Sequence, residues 1–175
     1  MEANEKIRSG FVRVAGALAK RPVFGLGTGI SKATIKNGLT CEVREGDWSF
    51  VADMPEQAGG NGVGPTPGVY GRAALGSCLA IGYMMRAAVM NIPIAGLEVE
   101  VQADYDDGAL FGTSAPEVPP GYLEIRYTVT VDSEAPADVV LQMLDEADRH
   151  SPYLDVFSRG QACRREVRIV TQKQH

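Results

Sequence analysis

The stretch from Pro67 to Met90, PGVYGRAALGSCLAIGYMMRAAVM, constrains this chain more than any other part of it. It is apolar nearly all round, with Arg72 and Arg86 as its only charges. A helix without a polar face has to be covered on most sides, by lipid or by protein. Only 13 residues separate the two arginines, whereas a bilayer crossing needs about 20 apolar residues. Burial inside protein is therefore the expectation, with no membrane partner. The chain has 175 residues, the material of one domain at roughly 100 to 200 residues each, and that is little with which to surround so long an apolar helix. A second copy is expected to supply part of the cover, making the protein an obligate homodimer.

The rest of the composition narrows the function classes. Apolar residues make up 45% of the chain and charged residues 22%, as in soluble globular proteins and unlike disordered ones. With 22 acidic against 17 basic residues the net charge is -5. That balance offers no electrostatic footprint for nucleic acid or anionic lipid and suits a small or neutral partner. Cys41, Cys78 and Cys163 form no C-x-x-C pair, so neither a disulfide scaffold nor a zinc site is expected, and no metal or cofactor is implied. Reduced cysteines fit the cytoplasm. At the N-terminus, Glu2 and Glu5 stand where a signal peptide has positive charge, and Arg13 interrupts the apolar run from Phe11 to Ala19. Residues 1–22 read instead as an amphipathic helical extension of a single domain spanning 1–175.

Patterning orders the remaining elements. Gly25-Leu26-Gly27-Thr28-Gly29 has neither the following helix nor the Lys-Ser/Thr ending of a phosphate-binding loop, so it reads as a connection into a strand. Asn37-Gly38 signals a two-residue hairpin between Thr34-Ile35 and the strand from Leu39 to Val43, and Glu45-Gly46-Asp47 turns that strand into another from Trp48 to Ala52. The result is an antiparallel β-meander. A loop dense in Gly and Pro then leads into the apolar helix. Beyond Asn91-Ile92-Pro93, the alternating segments 96–105 and 121–132 read as paired strands across a long loop. Ser133 reads as the N-cap of an amphipathic helix running to about Arg149, which His150-Ser151-Pro152 ends. Residues 164–171 alternate as a last strand. The fold class is thus α+β, with a long buried central helix and a second sheet segment packed by an amphipathic helix.

Cys78 sits within the central helix, and helical spacing puts the small residues Gly71, Ala74 and Gly82 on its side, with Leu75 and Met85. One reading makes it an apolar filler, as buried free cysteines usually are. The other makes it a nucleophile facing a slot, which requires a thiolate and something nearby to stabilise it. The helix start is about three turns away, beyond the reach of the dipole. Arg72 and Arg86 point about 120° and 80° away around the helix. His150 reads either as a base for Cys78 or as a helix C-terminal group interacting with the last carbonyls. Asp104, Asp106 and Asp107 lack the spacing of a calcium loop. Arg159, Arg164, Arg165 and Arg168 form a local basic patch that could meet an anion or acidic partner, but alternation puts Arg164, Glu166 and Arg168 on one face with opposite charges interspersed, so an exposed strand face is the better account.

The run Asp53-Met54-Pro55, Gly59-Gly60, Gly64-Pro65-Thr66-Pro67 and Ala73-Ala74-Leu75-Gly76-Ser77-Cys78 resembles the D-x-P…GG…GPxP…AALGxC signature of the OsmC/Ohr family, the osmotically inducible protein C and organic hydroperoxide resistance group. The order of elements is similar from about Thr34 to Thr171. The resemblance implies an α+β intertwined homodimer that reduces organic hydroperoxides at a cysteine corresponding to Cys78. Two positions depart from it. Gly68 stands where active members carry a glutamate, and Ser151 where they carry a second, resolving cysteine. The family's thiolate-stabilising arginine has no positional match, with Arg21 and Arg44 as candidates. The resemblance therefore implies a single-cysteine cycle at Cys78 with a small apolar peroxide and an external thiol reductant. A non-catalytic dimer that binds an apolar small molecule at its interface is the alternative. Cys163 is a further possible resolving thiol, and Cys41 reads as core.

Overall fold

The central helix organises the structure, a computed structural model that describes residues 2–170. It runs from Pro67 to Met90 (α2) and follows the helix Glu2–Lys20 (α1), a 3₁₀ turn Pro22–Gly25, and the strands Lys32–Ile35 (β1), Cys41–Glu45 (β2) and Trp48–Ala52 (β3). After it come the strand Gly96–Asp104 (β4), a short helix Asp107–Phe111 (α3), the strand Glu124–Asp132 (β5) and two helices, Ala137–Asp148 (α4) and Pro152–Ser158 (α5). The strands form two antiparallel sheets, β1-β2-β3 and β4-β5.

The β4-β5 pair shows what alternation accomplishes. Its register sets Val99 opposite Val129 and Val101 opposite Tyr127, and these side chains turn inward while Glu98, Glu100 and Thr128 face out. The inward face packs on α2 closely enough that a Cβ at Gly76 would lie 3.3 Å from Val101 Cγ2. Leu75, Leu79, Tyr83 and Ala87, one face of α2, form the core with Ile92 and with Met143 and Ala147 of α4. By length and composition α2 could cross a membrane, yet here that face is the core of an α+β fold. Its other sides are less covered than the sequence suggests, with Ile81 61% exposed.

A single carboxylate joins three elements. Asp148, at the end of α4, accepts hydrogen bonds from Tyr83 of α2 at 2.7 Å and from Tyr127 of β5 at 2.9 Å. Burial, and then the adjacent carboxylate, push both phenols up, Tyr127 to about 12 and Tyr83 further. Both hydroxyls therefore stay protonated, as donors, at neutral pH.

Several sequence expectations need correction. The first hairpin is not a two-residue turn: Ile35 pairs with Cys41, leaving residues 36–40 as the connection, with Gly38 at φ +64°. The long loop after β4 contains α3, capped by Asp106, whose carboxylate accepts from Gly108 N. Ser133 does not cap α4, which starts behind Pro136; its hydroxyl instead donates to Pro93 O and accepts from Ala135 N. The chain does not end its helices at residue 150, because α5 follows. Residues 164–170 form no strand, and Thr171 lies outside the described residues. Alternation alone makes no strand without an edge to pair with, and Ile169 and Val170 project into solvent, 85% and 88% exposed.

The meander β1-β2-β3 is similarly bare. Ile35, Trp48 and Phe50 are exposed on it, and only Ala52 at its end joins the buried set. A three-stranded sheet with so little cover has little to hold it.

Candidate functional site

The approach to Cys78 begins at the loop between β3 and α2. Asp53 is 2% exposed; its carboxylate accepts hydrogen bonds from Thr40 Oγ1 at 2.9 Å, Met54 N at 2.8 Å, Asn61 N at 3.3 Å and Val63 N at 3.5 Å. The loop winds so tightly around this group that a Cβ at Gly60 would fall 1.9 Å from Met54 O, and one at Gly64 2.5 Å from Val51 O. The sequence motif D-x-P…GG…GPxP thus has a mechanical meaning: an acceptor at the centre and glycines where backbones touch. Tyr70, in the first turn of α2, closes the assembly by donating to Val51 O at 2.6 Å and packing on Phe50.

Burial pushes the Asp53 carboxyl up, but its four hydrogen bonds outweigh burial and hold it below the ordinary aspartate range. The sign follows: this contribution to stability is present above the unfolded value of about 3.9 and is lost as pH falls through the lower folded value. Asp53→Asn is expected to lower the Tm at pH 7 by roughly 5 °C, because an amide presents a donor to several donors. Thermal melts across pH check this, since the gap from the unaltered protein closes below about pH 4. A gap that stays constant with pH contradicts the account.

Cys78 lies half-buried on α2, a little over three turns from its start. Its side of the helix is open where Gly82 stands, since an added Cβ there would meet nothing within 4 Å. Toward the helix start, Tyr122 covers the same side: its hydroxyl is 3.3 Å from where a Gly71 Cβ would be and donates to Gly68 O at 2.8 Å. Tyr122 packs against Phe157 of α5, which also lies against Tyr153. The helix side that carries Cys78 is thus small at Gly82 and covered by aromatic rings toward the helix start, surroundings that suit an apolar reactant.

The sulfur's polar neighbour is Ser151. Cys78 Sγ and Ser151 Oγ are 3.7 Å apart, and Ser151 is 8% exposed. Ser151 is also the N-cap of α5, accepting from Leu154 N at 3.3 Å. Sequence reasoning placed a serine here only as a missing cysteine and did not find the helix behind it. The signal was present, because Ser-Pro followed by Asp155 is an N-cap, a proline at the first helical position and an acid in the first turn.

The sequence-derived cations go elsewhere. Arg21 stacks on Phe24, Arg44 pairs with Glu42, Arg159 with Asp155 and Arg168 with Glu166. Arg86 faces Glu146 and the Phe11 ring. His150 pairs with Glu146 at 3.3 Å, so it acts neither as a cap nor as a base at Cys78. At the glutamate position the structure has a small gap: a Cβ on Gly68 would lie 3.5 Å from an Arg72 guanidinium nitrogen and 3.9 Å from Thr66 Oγ1. Cys163 is exposed beyond α5 and Cys41 is half-buried in β2; all three cysteines are free. Among the described residues no group of His, Cys, Asp and Glu is arranged to hold a metal.

Two small antiparallel sheets, a long apolar helix with a half-buried cysteine, and a helix N-cap hydroxyl against that cysteine define the class of fold as α+β. The family model described as OsmC-like protein matches residues 59–164, more than half of the chain, and the chain belongs to that family. Solved structures it is similar to share this fold. An OsmC-like protein from Mycoplasma pneumoniae superimposes with TM-score 0.65 at 14% identity, covering 75% of this chain and 88% of its own. An organic hydroperoxide resistance protein OsmC from Legionella pneumophila gives 0.57 at 20%, covering 75% and 90%. An organic hydroperoxide resistance protein from Elizabethkingia anophelis gives 0.55 at 17%, covering 77% and 90%. No curated protein matches the chain in sequence.

Proposed function

We propose that this protein is a thiol-dependent reductase of organic hydroperoxides, acting as one OsmC-like domain over 1–175 in a cytoplasmic homodimer with Cys78 as its nucleophile. The observation that carries the reading is Cys78 itself. It stands at the end of the family's helix motif, half-buried and open on its Gly82 side, with a hydroxyl in contact. Apolar walls suit an alkyl or aryl peroxide.

The chemistry balances with one cysteine. The Cys78 thiolate attacks the distal peroxide oxygen, the O–O bond breaks, and the alkoxide takes a proton to leave as an alcohol, with sulfur now a sulfenic acid. Because Ser151 supplies no thiol, an external small thiol attacks the sulfenic sulfur and releases water. A second external thiol then reduces the mixed disulfide and regenerates Cys78. The bare meander and the exposed sides of α2 favour the homodimer, since a partner copy would cover them.

Addition of one equivalent of cumene hydroperoxide to the reduced protein is expected to yield cumyl alcohol and one added oxygen on the Cys78 peptide, seen by mass spectrometry. Neither product appearing overturns the reductase. One observation favours a second reading, an apolar-ligand protein. A groove of about 450 Å³ between α1, α2 and β4, lined by Ile7, Ile81, Met84, Met85 and Ile94 among others, does not include Cys78. Silence toward peroxide would favour that groove as the working site.

A further inference from the structure

Ser151 is engaged twice, and a thiolate at Cys78, which has no hydrogen of its own, would fix the direction of the second engagement. Its oxygen accepts the Leu154 N–H at the start of α5, and a hydroxyl has one hydrogen to place. Among the described residues the one acceptor within hydrogen-bonding reach is Cys78 Sγ, at 3.7 Å. At 8% exposure, Ser151 has little access to water as an alternative. Toward a thiolate the chain runs Leu154 N–H to Ser151 O–H to sulfur, each link polarising the next.

We propose that Ser151 is a positioning residue for Cys78: its hydroxyl, oriented by the α5 cap, donates to the sulfur and stabilises the thiolate. No arginine, lysine or histidine hydrogen-bonds the sulfur among the described residues, so the hydroxyl is the donor this chain provides. The inference rests on the proposed role of Cys78 as nucleophile, and it assigns the residue at the resolving-cysteine position an electrostatic task in place of a redox one.

The test uses the full reduced chain and the neutral disulfide 4,4′-dithiodipyridine, followed by mass spectrometry of the Cys78 peptide so that Cys41 and Cys163 do not contribute. A hydrogen bond to a charged acceptor is large enough to move a thiol's pH–rate profile by about one unit. Ser151→Ala is expected to shift the profile upward by that amount. At pH 6 the thiolate population then falls about tenfold, while each thiolate becomes about threefold more nucleophilic, by a Brønsted slope of about 0.4 to 0.5. The variant should react three- to fourfold more slowly at pH 6 and about threefold faster at pH 10, so the two profiles cross.

Ser151→Thr keeps both cap and donor and should restore the original profile. Ser151→Asp keeps the cap acceptor but sets a negative charge against the sulfur, and should slow the pH 6 reaction below that of Ser151→Ala. Crossing profiles with this order of variants support the proposal. Parallel profiles, or rescue by aspartate, reduce Ser151 to a helix cap and overturn it. Peroxide is absent from the assay, so its outcome stands apart from that of the reductase: crossing profiles beside a peroxide-inert protein would refute the reductase and leave the hydrogen bond established.

Discussion

Cys78→Ser is expected to abolish hydroperoxide reduction, with kcat/KM for cumene hydroperoxide falling at least about 10³-fold in a coupled assay with a small thiol. The reason is elementary. An alcohol at neutral pH is almost wholly protonated, and its oxygen cannot accept a second oxygen and return it, whereas sulfur cycles between thiolate and sulfenic acid. The substitution is nearly isosteric, so the half-buried position on α2 survives and the loss belongs to chemistry. Cys41→Ser and Cys163→Ser serve as controls and should retain activity within about twofold, because β2 and the exposed segment beyond α5 hold those thiols as free, unpaired groups. Retained turnover in Cys78→Ser would remove the nucleophile from the mechanism. Loss of turnover in Cys163→Ser would instead make that thiol the resolving partner.

Leu79→Ala is expected to cost about 3 kcal/mol of folding stability, read from urea unfolding. Leu79 is 1% exposed and lies in the cluster that joins α2 to Met143 and Ala147 of α4 and to the β4-β5 sheet. Truncation removes its transfer free energy and leaves a cavity that two packed helices cannot readily close. Leu141→Ala, at a residue 60% exposed on α4, is the matched control and should change stability by less than about 0.5 kcal/mol. Equal losses at the two positions would mean that the core does not sit where the buried face of α2 puts it.

How much of this was legible beforehand depended on whether the signal was local. Alternation in residues 96–105 and 121–132 pointed to β4 and β5, although β5 starts only at Glu124, because each strand finds its partner in the other and its cover in α2 within one chain. The same alternation in residues 164–170 gave no strand, since periodicity encodes which side chains share a face and says nothing of whether an edge is available. Asn37-Gly38 marked a turn and Gly38 takes the left-handed conformation, but the register of Ile35 with Cys41 lengthened the connection. For the site, the cysteine could be found from its helix motif. The contact from Ser151 joins residues 73 positions apart, and no spacing rule reaches that far. Charge reasoning also looked for an arginine beside the sulfur, whereas Arg21, Arg44 and Arg86 found partners in nearby carboxylates and rings and Arg72 lies beside Gly68.

The Tyr83–Asp148–Tyr127 junction also bears on the sulfur. Tyr83 lies five residues beyond Cys78 on α2, and Asp148 three residues before Ser151. The hydrogen bond from Tyr83 to Asp148 thus ties the segment that carries the oxygen to the helix that carries the sulfur, much as a pivot joins the two arms of a caliper.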